Sequence, residues 1–104
     1  MSNYKLLYIT CGSKLEANKI GKLLVKNKLA ACTNIIPNIR SIFRWDKKIK
    51  SSKECILIGK TQKKNIKKII KSVTRQHSYD CPCILFFNIE LGNRRFLKWI
   101  LSNS

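Results

Sequence analysis

The stretch that decides the fold is LAACTNIIPNIRSIFRW, residues 29–45, together with its return, IKSSKECILIGK, residues 49–60. Both runs are rich in β-branched and aromatic residues, which favour strands. The letters DKK at 46–48 leave room only for a tight turn between them. We therefore predict an extended β-hairpin, with strands of about fourteen residues where roughly three to ten are usual.

Pro37 interrupts the first of these two strands. Because proline cannot donate a ladder hydrogen bond, it predicts a bulge or an edge strand at this point. Beyond it, one face carries Ile39, Ser41, Phe43 and Trp45, and the other carries Arg40, Ile42 and Arg44. Such an arm leaves apolar surface and an open edge for another chain to cover. The sequence therefore predicts oligomerisation through the hairpin, most simply in a cyclic assembly.

The segment before the hairpin predicts a strand followed by a helix. NYKLLYITC, residues 3–11, is a short apolar run typical of a buried strand. Ser13 is a good N-cap, and Glu16 three residues later completes a capping box. The helix should end near Asn27–Lys28, and its apolar stripe consists of Ala17, Ile20, Leu23 and Leu24.

The segment after the hairpin repeats this pattern. Thr61 is predicted to cap a second helix, whose apolar stripe consists of Ile66, Ile69, Ile70, Val73 and His77. CILFFNIE, residues 83–90, is a continuous apolar run suited to a central strand. RRFLKWILS, residues 94–102, predicts a short last helix whose inward residues are Phe96, Trp99 and Ile100.

This order of elements predicts one α+β domain over residues 1–104. Strand–helix–strand occurs twice, which gives a ferredoxin-like (βαβ–βαβ) antiparallel sheet with helices on one face. The long β-hairpin arm and the short C-terminal helix are additions to that plan.

The charge is strongly positive, with 22 Lys and Arg against 5 acids and a net charge of +17. Most of these residues are lysines, as a genome rich in A and T would produce, and the densest run, at 63–71, reads as the solvated face of a helix. Nucleic-acid binders usually interleave arginines and stacking aromatics with their charge, so we do not expect specific nucleic-acid binding.

With no apolar run long enough to span a bilayer and no signal peptide, we expect no membrane association. The odd number of cysteines predicts reduced thiols in the cytoplasm.

The segment RQHSYDCPC, residues 75–83, has the most chemical potential. Its cysteines have one-residue spacing, unlike zinc ribbons or thioredoxin-like motifs. One interpretation makes His77 a helix-end residue that bonds a backbone carbonyl or a tyrosine hydroxyl. The other makes it a metal ligand beside Cys83, which would favour Cu(I). Cys81 and Cys83 alternate around Pro82 in an extended segment and would point to the same side of the strand's start.

Other thiols and acids give weaker signals. Cys11 lies beside the helix N-terminus at Ser13, where amide dipoles could lower the pKa of its thiol. Cys32 and Cys55 are predicted to be small core residues. The five acids form no obvious pair and the glycines form no phosphate-binding loop. We therefore do not expect an enzyme.

Several segments together resemble one known family. KLAACTNIIP, SIFRWDKKI, KTQ after ILIGK, HSYDCP and FLKWI occur in the order and spacing of the CutA, or divalent-cation tolerance, proteins. The resemblance spans nearly the whole chain. It implies a ferredoxin-like subunit in a cytoplasmic homotrimer similar to that of the PII signalling proteins, built by the long hairpins. It also implies a link to tolerance of copper and other divalent cations, with copper binding among family members.

The resemblance carries over to individual positions. The matching residues are Cys32, Trp45, Lys60, Thr61, His77, Tyr79, Pro82 and Trp99. The departures are Phe43 for tyrosine, Lys47 for the turn glycine, Gln76 for a second histidine of some members, Ser78 for proline, Asp80 for glutamate and Cys83 for glutamate. In addition, some family members carry a copper-associated cysteine near this strand end, close to the position of Cys11.

Two functions follow as expectations. The first is a trimeric metal-binding protein of cation tolerance or homeostasis, which binds copper or another divalent cation through His77, Cys83 and Cys11. Its inter-subunit clefts would be lined by Trp45, Lys60, Thr61 and Tyr79. The alternative is a PII-like regulatory trimer that binds a small anionic ligand in the same clefts, or a structural scaffold.

Overall fold

The computed structural model describes residues 2–104 as a four-stranded antiparallel sheet with three helices. The strands lie in the order β2-β3-β1-β4. The elements are β1 (Tyr4–Cys11), α1 (Lys14–Lys26), β2 (Cys32–Trp45), β3 (Lys48–Gln62), α2 (Ile66–Gln76), β4 (Ile84–Asn88) and α3 (Arg94–Ser102). The predicted α+β fold, two βαβ units and a terminal helix, is confirmed.

The core lies between one face of the sheet and the helices α1 and α2. In β1 every second residue is buried, which is the period of a strand with one covered face. Its partner β3 presents Leu57 opposite Ile9 and Cys55 opposite Cys11 on the same face. The buried cluster consists of Leu7, Ile9, Cys11, Ala17, Ile20, Leu24, Ala30, Cys55, Leu57, Ile69 and Val73.

Helix α1 has the predicted start and end. The Ser13 hydroxyl accepts a hydrogen bond from the backbone N–H of Glu16 at 3.1 Å. The Glu16 carboxylate reaches back one residue further than in a standard capping box, to the N–H of Gly12 at 3.0 Å. Asn27 ends the helix, and Lys28, with φ 55°, reverses the chain towards β2.

The predicted hairpin is present, with strands of 14 and 15 residues. Asp46 and Lys47 connect the strands with φ of 54° and 63°, the two positive values of a type I′ turn. The strand register shifts between Ile36 and Ile39, so the predicted bulge lies at Pro37. β2 is also an edge strand. The arm extends the molecule to 45 × 25 × 23 Å.

Thr61 does not cap the second helix, contrary to prediction. It remains in β3, opposite Lys5 of β1, and its buried hydroxyl donates to the carbonyl oxygen of Leu29. The ladder with β1 continues to Gln62, so the chain turns only at the 3₁₀ segment Lys63–Asn65. α2 then begins without a side-chain cap.

The last strand and the last helix also differ from prediction. β4 is an edge strand with Leu85 and Phe87 about half exposed, because β1 already occupies the centre between β3 and β4. In α3 only Ile100 is buried. Phe96 and Trp99 are each 41% exposed and stack on each other, with ring centroids 5.3 Å apart.

The helices formed by residues 2–104 include none that is both long enough and apolar enough to cross a membrane.

Candidate metal centre

Three potential metal ligands converge where β1 ends. Cys11 is the last residue of β1, Glu16 lies in the first turn of α1, and His77 follows the last residue of α2. One ligand atom from each lies within 4.8 Å of the other two. Two of the three, Cys11 and His77, were predicted as ligands from the sequence.

His77 is held by hydrogen bonds on both ring nitrogens. Nε2 lies 2.8 Å from the carbonyl oxygen of Thr10, which can only accept, so Nε2 carries the proton. Nδ1 accepts from the backbone N–H of Tyr79 at 3.1 Å and lies 3.9 Å from Oε1 of Glu16. The predicted bond to a backbone carbonyl is thus confirmed. In metal-binding histidines the ring nitrogen that does not bind the metal usually donates to such a carbonyl. This hydrogen bond orients the ring so that the other nitrogen faces the metal.

Glu16 also binds the loop after α2, a role that the capping-box pattern did not predict. Its Oε1 accepts from the N–H of Gly12, and its Oε2 accepts from the N–H of Ser78 at 2.7 Å. Partial burial acts to raise the pKa of Glu16, but the hydrogen bonds from Ser78 and Gly12 outweigh it, so this pKa lies below its ordinary value. The carboxylate is therefore ionised at neutral pH and joins α1 to the loop after α2.

Cys11 behaves differently from the sequence prediction. Its side chain is fully buried, and this burial, with the nearby Glu16 carboxylate, raises the pKa of the thiol to about 12. The predicted lowering fails because Ser13 and Glu16 already occupy the amides at the start of α1, and Glu16 adds negative charge beside the sulfur. Cys11 is a neutral thiol at neutral pH.

Tyr79 covers the cluster from the loop side. Its hydroxyl donates to Oε2 of Glu54 at 2.7 Å, while its backbone N–H occupies Nδ1 of His77. The ring lies against Gly12, where an added Cβ would come within 3.1 Å of the hydroxyl oxygen. Burial, then the Glu54 hydrogen bond and charge, raise the pKa of Tyr79. The loop is thereby fixed over the three candidate ligands.

The structure does not bring the other predicted thiol to this centre. Cys83 is partly buried and lies just before β4, which begins at Ile84, so it is outside the group of converging ligand atoms in residues 2–104. Cys81 is exposed. The sequence argument placed Cys81 and Cys83 in an extended segment at the start of a strand, whereas the chain at 78–83 is a loop.

The four predicted cleft residues are spread along a single chain. Trp45 lies beside the hairpin turn, opposite Lys48, whereas Lys60 lies opposite Cys32 at the other end of the arm. Twelve residues of strand separate these ends, or about 40 Å. Tyr79 contacts Glu54, roughly 20 Å along β3 from Lys60 and the buried Thr61. A cleft that contains all four would need a neighbouring chain.

Comparison with known proteins identifies the family. The family described as CutA1 divalent ion tolerance protein matches residues 5–103. The chain belongs to the CutA1 family. This family is named for a tolerance phenotype rather than for a reaction.

Relatives and solved structures agree with this assignment. The CutA1 chain is 42% identical over 97 residues to the divalent-cation tolerance protein CutA of Archaeoglobus fulgidus, covering 93% of this chain and 94% of that protein. Its fold is similar to the Thermus thermophilus CutA1 structure, with a TM-score of 0.95, 36% identity and coverage of 97% and 98%. The Oryza sativa CutA1 structure has a TM-score of 0.96 at 29% identity, with coverage of 99% and 94%.

The relatives differ in length and in the compartments that their names give. This chain covers 54% of the Arabidopsis thaliana protein, which is named chloroplastic and is 31% identical over 95% of this chain. The A. fulgidus structure carries the name of a periplasmic divalent cation tolerance protein.

Proposed function

We propose that this CutA1 protein acts in divalent-cation tolerance by binding a metal ion through Cys11, Glu16 and His77. The observation that supports this most strongly is the convergence of a thiol, a carboxylate and an imidazole within 4.8 Å. The Nε2–H of His77 donates to Thr10, so the tautomer is the one that offers Nδ1 to a ligand.

The donor types restrict which metals the centre would hold. Thiolate and imidazole suit copper and zinc, whereas magnesium and calcium prefer oxygen ligands throughout. We therefore propose copper or another divalent cation of similar softness. Ligation requires Cys11 to lose its proton and Nδ1 of His77 to leave the N–H of Tyr79, so the loop at 78–83 would shift.

We further propose that the protein forms a homotrimer through its hairpin arms. Ile42, Trp45 and Ile49 near the tip are 71%, 59% and 73% exposed in the single chain, and β2 is an open edge. A neighbouring chain that covers this surface removes the apolar exposure and pairs the edge. The CutA resemblance, which implies a PII-like homotrimer, supports this arrangement.

We propose a cytoplasmic location, because the five cysteines are free thiols, which suit a reducing compartment. We also propose a non-catalytic role, because the family is named for tolerance rather than for a reaction.

Anaerobic titration of the reduced protein with Cu(I) and with Zn(II) tests the metal proposal. We expect one metal per chain in the wild type and loss of at least tenfold in affinity in Cys11→Ser and His77→Ala. Cys83→Ala is the matched control, since this thiol lies outside the cluster, and it should bind as the wild type does. Light scattering on the same samples reports the oligomeric state.

Two results would overturn the metal proposal. One is the absence of stoichiometric binding by the wild type. The other is binding that survives both Cys11→Ser and His77→Ala, which would place the metal elsewhere. An intact trimer without metal binding would instead favour the small-anion or scaffold function.

A further inference from the structure

We infer that Cys55 supplies a second thiolate to the centre at Cys11, so that the ligand set becomes two thiolates, one carboxylate and one imidazole. This inference rests on the proposed function, because it extends the same site. It also narrows the metal class to soft, thiolate-preferring ions such as Cu(I), Zn(II) and Cd(II).

The strand register places the two cysteines side by side. Cys11 of β1 lies directly opposite Cys55 of the antiparallel strand β3. Side chains of directly opposed residues project from the same face, with Cβ atoms about 4.5–5.5 Å apart. Here that face is the one covered by α1 and α2, because both residues belong to the buried core cluster. Cys55 therefore lies on the same sheet face as Cys11, whose sulfur is within 4.8 Å of ligand atoms of Glu16 and His77.

On this inference, rotation of the Cys55 side chain brings its sulfur to the other ligands. It lies outside the group of atoms within 4.8 Å of one another. Rotation about χ1 between staggered positions moves a cysteine sulfur by about 3 Å without any change in the backbone. Cys55 is 5% exposed, so no water shell has to be removed before this rotation.

A second thiolate also suits the chemistry of the site. Structural zinc sites are almost always four-coordinate, and the three converging groups leave one position to fill. Among the cysteines of this chain, Cys32 is paired with Lys60 and Cys81 is exposed, so Cys55 is the thiol that shares a strand pair with Cys11. Packing alone would require only a small apolar residue there.

Ultraviolet titration with Cd(II) tests the inference directly, because thiolate-to-cadmium charge transfer gives an absorbance that scales with the number of bound thiolates. The full-length reduced protein would be compared with Cys55→Ser, Cys55→Val and Cys11→Ser. We expect the absorbance per bound Cd(II) to fall by about half in both Cys55 variants, with affinity at least tenfold weaker. Cys32→Ser, which removes another strand thiol, should match the wild type.

The outcomes separate this inference from the proposed function. If both Cys55 variants keep the full absorbance and affinity while Cys11→Ser loses them, Cys55 is a core residue only and the proposed function stands. If the wild type gives no thiolate band, both proposals fail. Cys55→Val guards against a folding defect, because valine packs well in a buried strand, and circular dichroism should show both variants folded.

Discussion

His77 shows how far single residues could be interpreted from sequence. The end of an apolar stripe and the expectation of a carbonyl partner are both local properties, and both are correct. The identity of the partner, Thr10, was beyond a local argument, because the two residues are 67 positions apart. Glu16 was missed as a neighbour of His77 for the same reason, since capping fully explained its position. A search for acids near the ends of the predicted strands could have found it.

We expect Glu16→Gln to lower the free energy of unfolding at pH 7 by about 1–2 kcal/mol, because charged hydrogen bonds to two backbone amides are lost or weakened. The folded pKa of Glu16 lies below its ordinary value of 4.5, so its contribution is present above that pH. It is lost as pH falls through the folded pKa. Urea denaturation of both proteins from pH 7 to pH 3 measures this.

The gap between wild type and Glu16→Gln should therefore close below about pH 4.5. Glu90→Gln, at an exposed position, serves as the control and should show little gap at any pH. A gap that stays constant across the pH range would contradict the role of the ionised carboxylate.

Metal affinity should rise with pH at this centre. Burial raises the pKa of Cys11 to about 12, so metal binding through Cys11, as proposed, would release the thiol proton at neutral pH. We expect the apparent affinity for Zn(II) to increase at least tenfold per pH unit between about pH 6.5 and pH 8.5. Isothermal titration in buffers of different ionisation enthalpy would count the released protons. An affinity that does not change with pH would exclude Cys11 as a ligand.

At the scale of elements, the hairpin was the most predictable part and β4 the least. Composition, Pro37 and a three-residue gap defined the hairpin, since all three are local. The place of β4 depends on which strand lies beside β1. The run ILFF cannot reveal this, because buried central strands and edge strands that await a partner have similar composition. Thr61 was misassigned because its capping pattern competes with a strand ladder to β1 that only the fold reveals.

The hairpin turn offers a direct test of how the positive φ of Lys47 affects the stability of the protein. Lys47 has φ 63°, a conformation that costs a non-glycine residue about 1–2 kcal/mol. We expect Lys47→Gly to stabilise the protein by up to about 1 kcal/mol, since relief of this strain exceeds the added entropy of glycine in the unfolded chain. Lys48→Gly is the control, and it should destabilise because Lys48 begins β3. Thermal unfolding would show the two changes moving the midpoint in opposite directions. A lower midpoint for Lys47→Gly would contradict this account of the turn.

At the scale of the whole molecule, positively charged residues greatly outnumber negatively charged ones. The chain carries +17, and in residues 2–104 no lysine or arginine lies within 4.0 Å of an Asp or Glu carboxylate oxygen. The lysines and arginines therefore repel one another without carboxylate partners in contact. Self-repulsion of this kind destabilises the compact state and is screened by salt.

We expect the thermal midpoint to rise by a few degrees between about 20 and 200 mM NaCl, because screening weakens this repulsion. Lys64→Glu combined with Lys68→Glu, on the exposed face around α2, should raise the midpoint at low salt and reduce its salt dependence. Scanning calorimetry at several salt concentrations measures both effects. A midpoint that falls with added salt would show that attraction, not repulsion, dominates the charge pattern.

Assembly provides the second test at this scale. Ile42→Glu combined with Ile49→Glu places charge on the exposed apolar tip, and we expect it to dissociate the proposed trimer or to weaken it at least tenfold. Leu15→Glu is the matched control, because Leu15 is 80% exposed and lies on α1 rather than on the hairpin. Light scattering after size exclusion gives the mass of each species. Trimers that persist equally in both variants would rule out the hairpin tip as the contact surface.

The bulge at Pro37 is a point at which the long hairpin arm can bend. Trp45 lies eight residues beyond the bulge, a distance of about 26 Å along the strand. If the arm rotated by about 10° about the bulge, Trp45 at the tip would move by roughly 4–5 Å, while the sheet at the base of the arm would stay nearly still. Glu54 lies opposite Ile39, next to the bulge, and its carboxylate accepts the hydrogen bond from the Tyr79 hydroxyl. A neighbouring chain bound to the tip, as proposed, would therefore act on the strand that carries Glu54, beside the loop that covers His77.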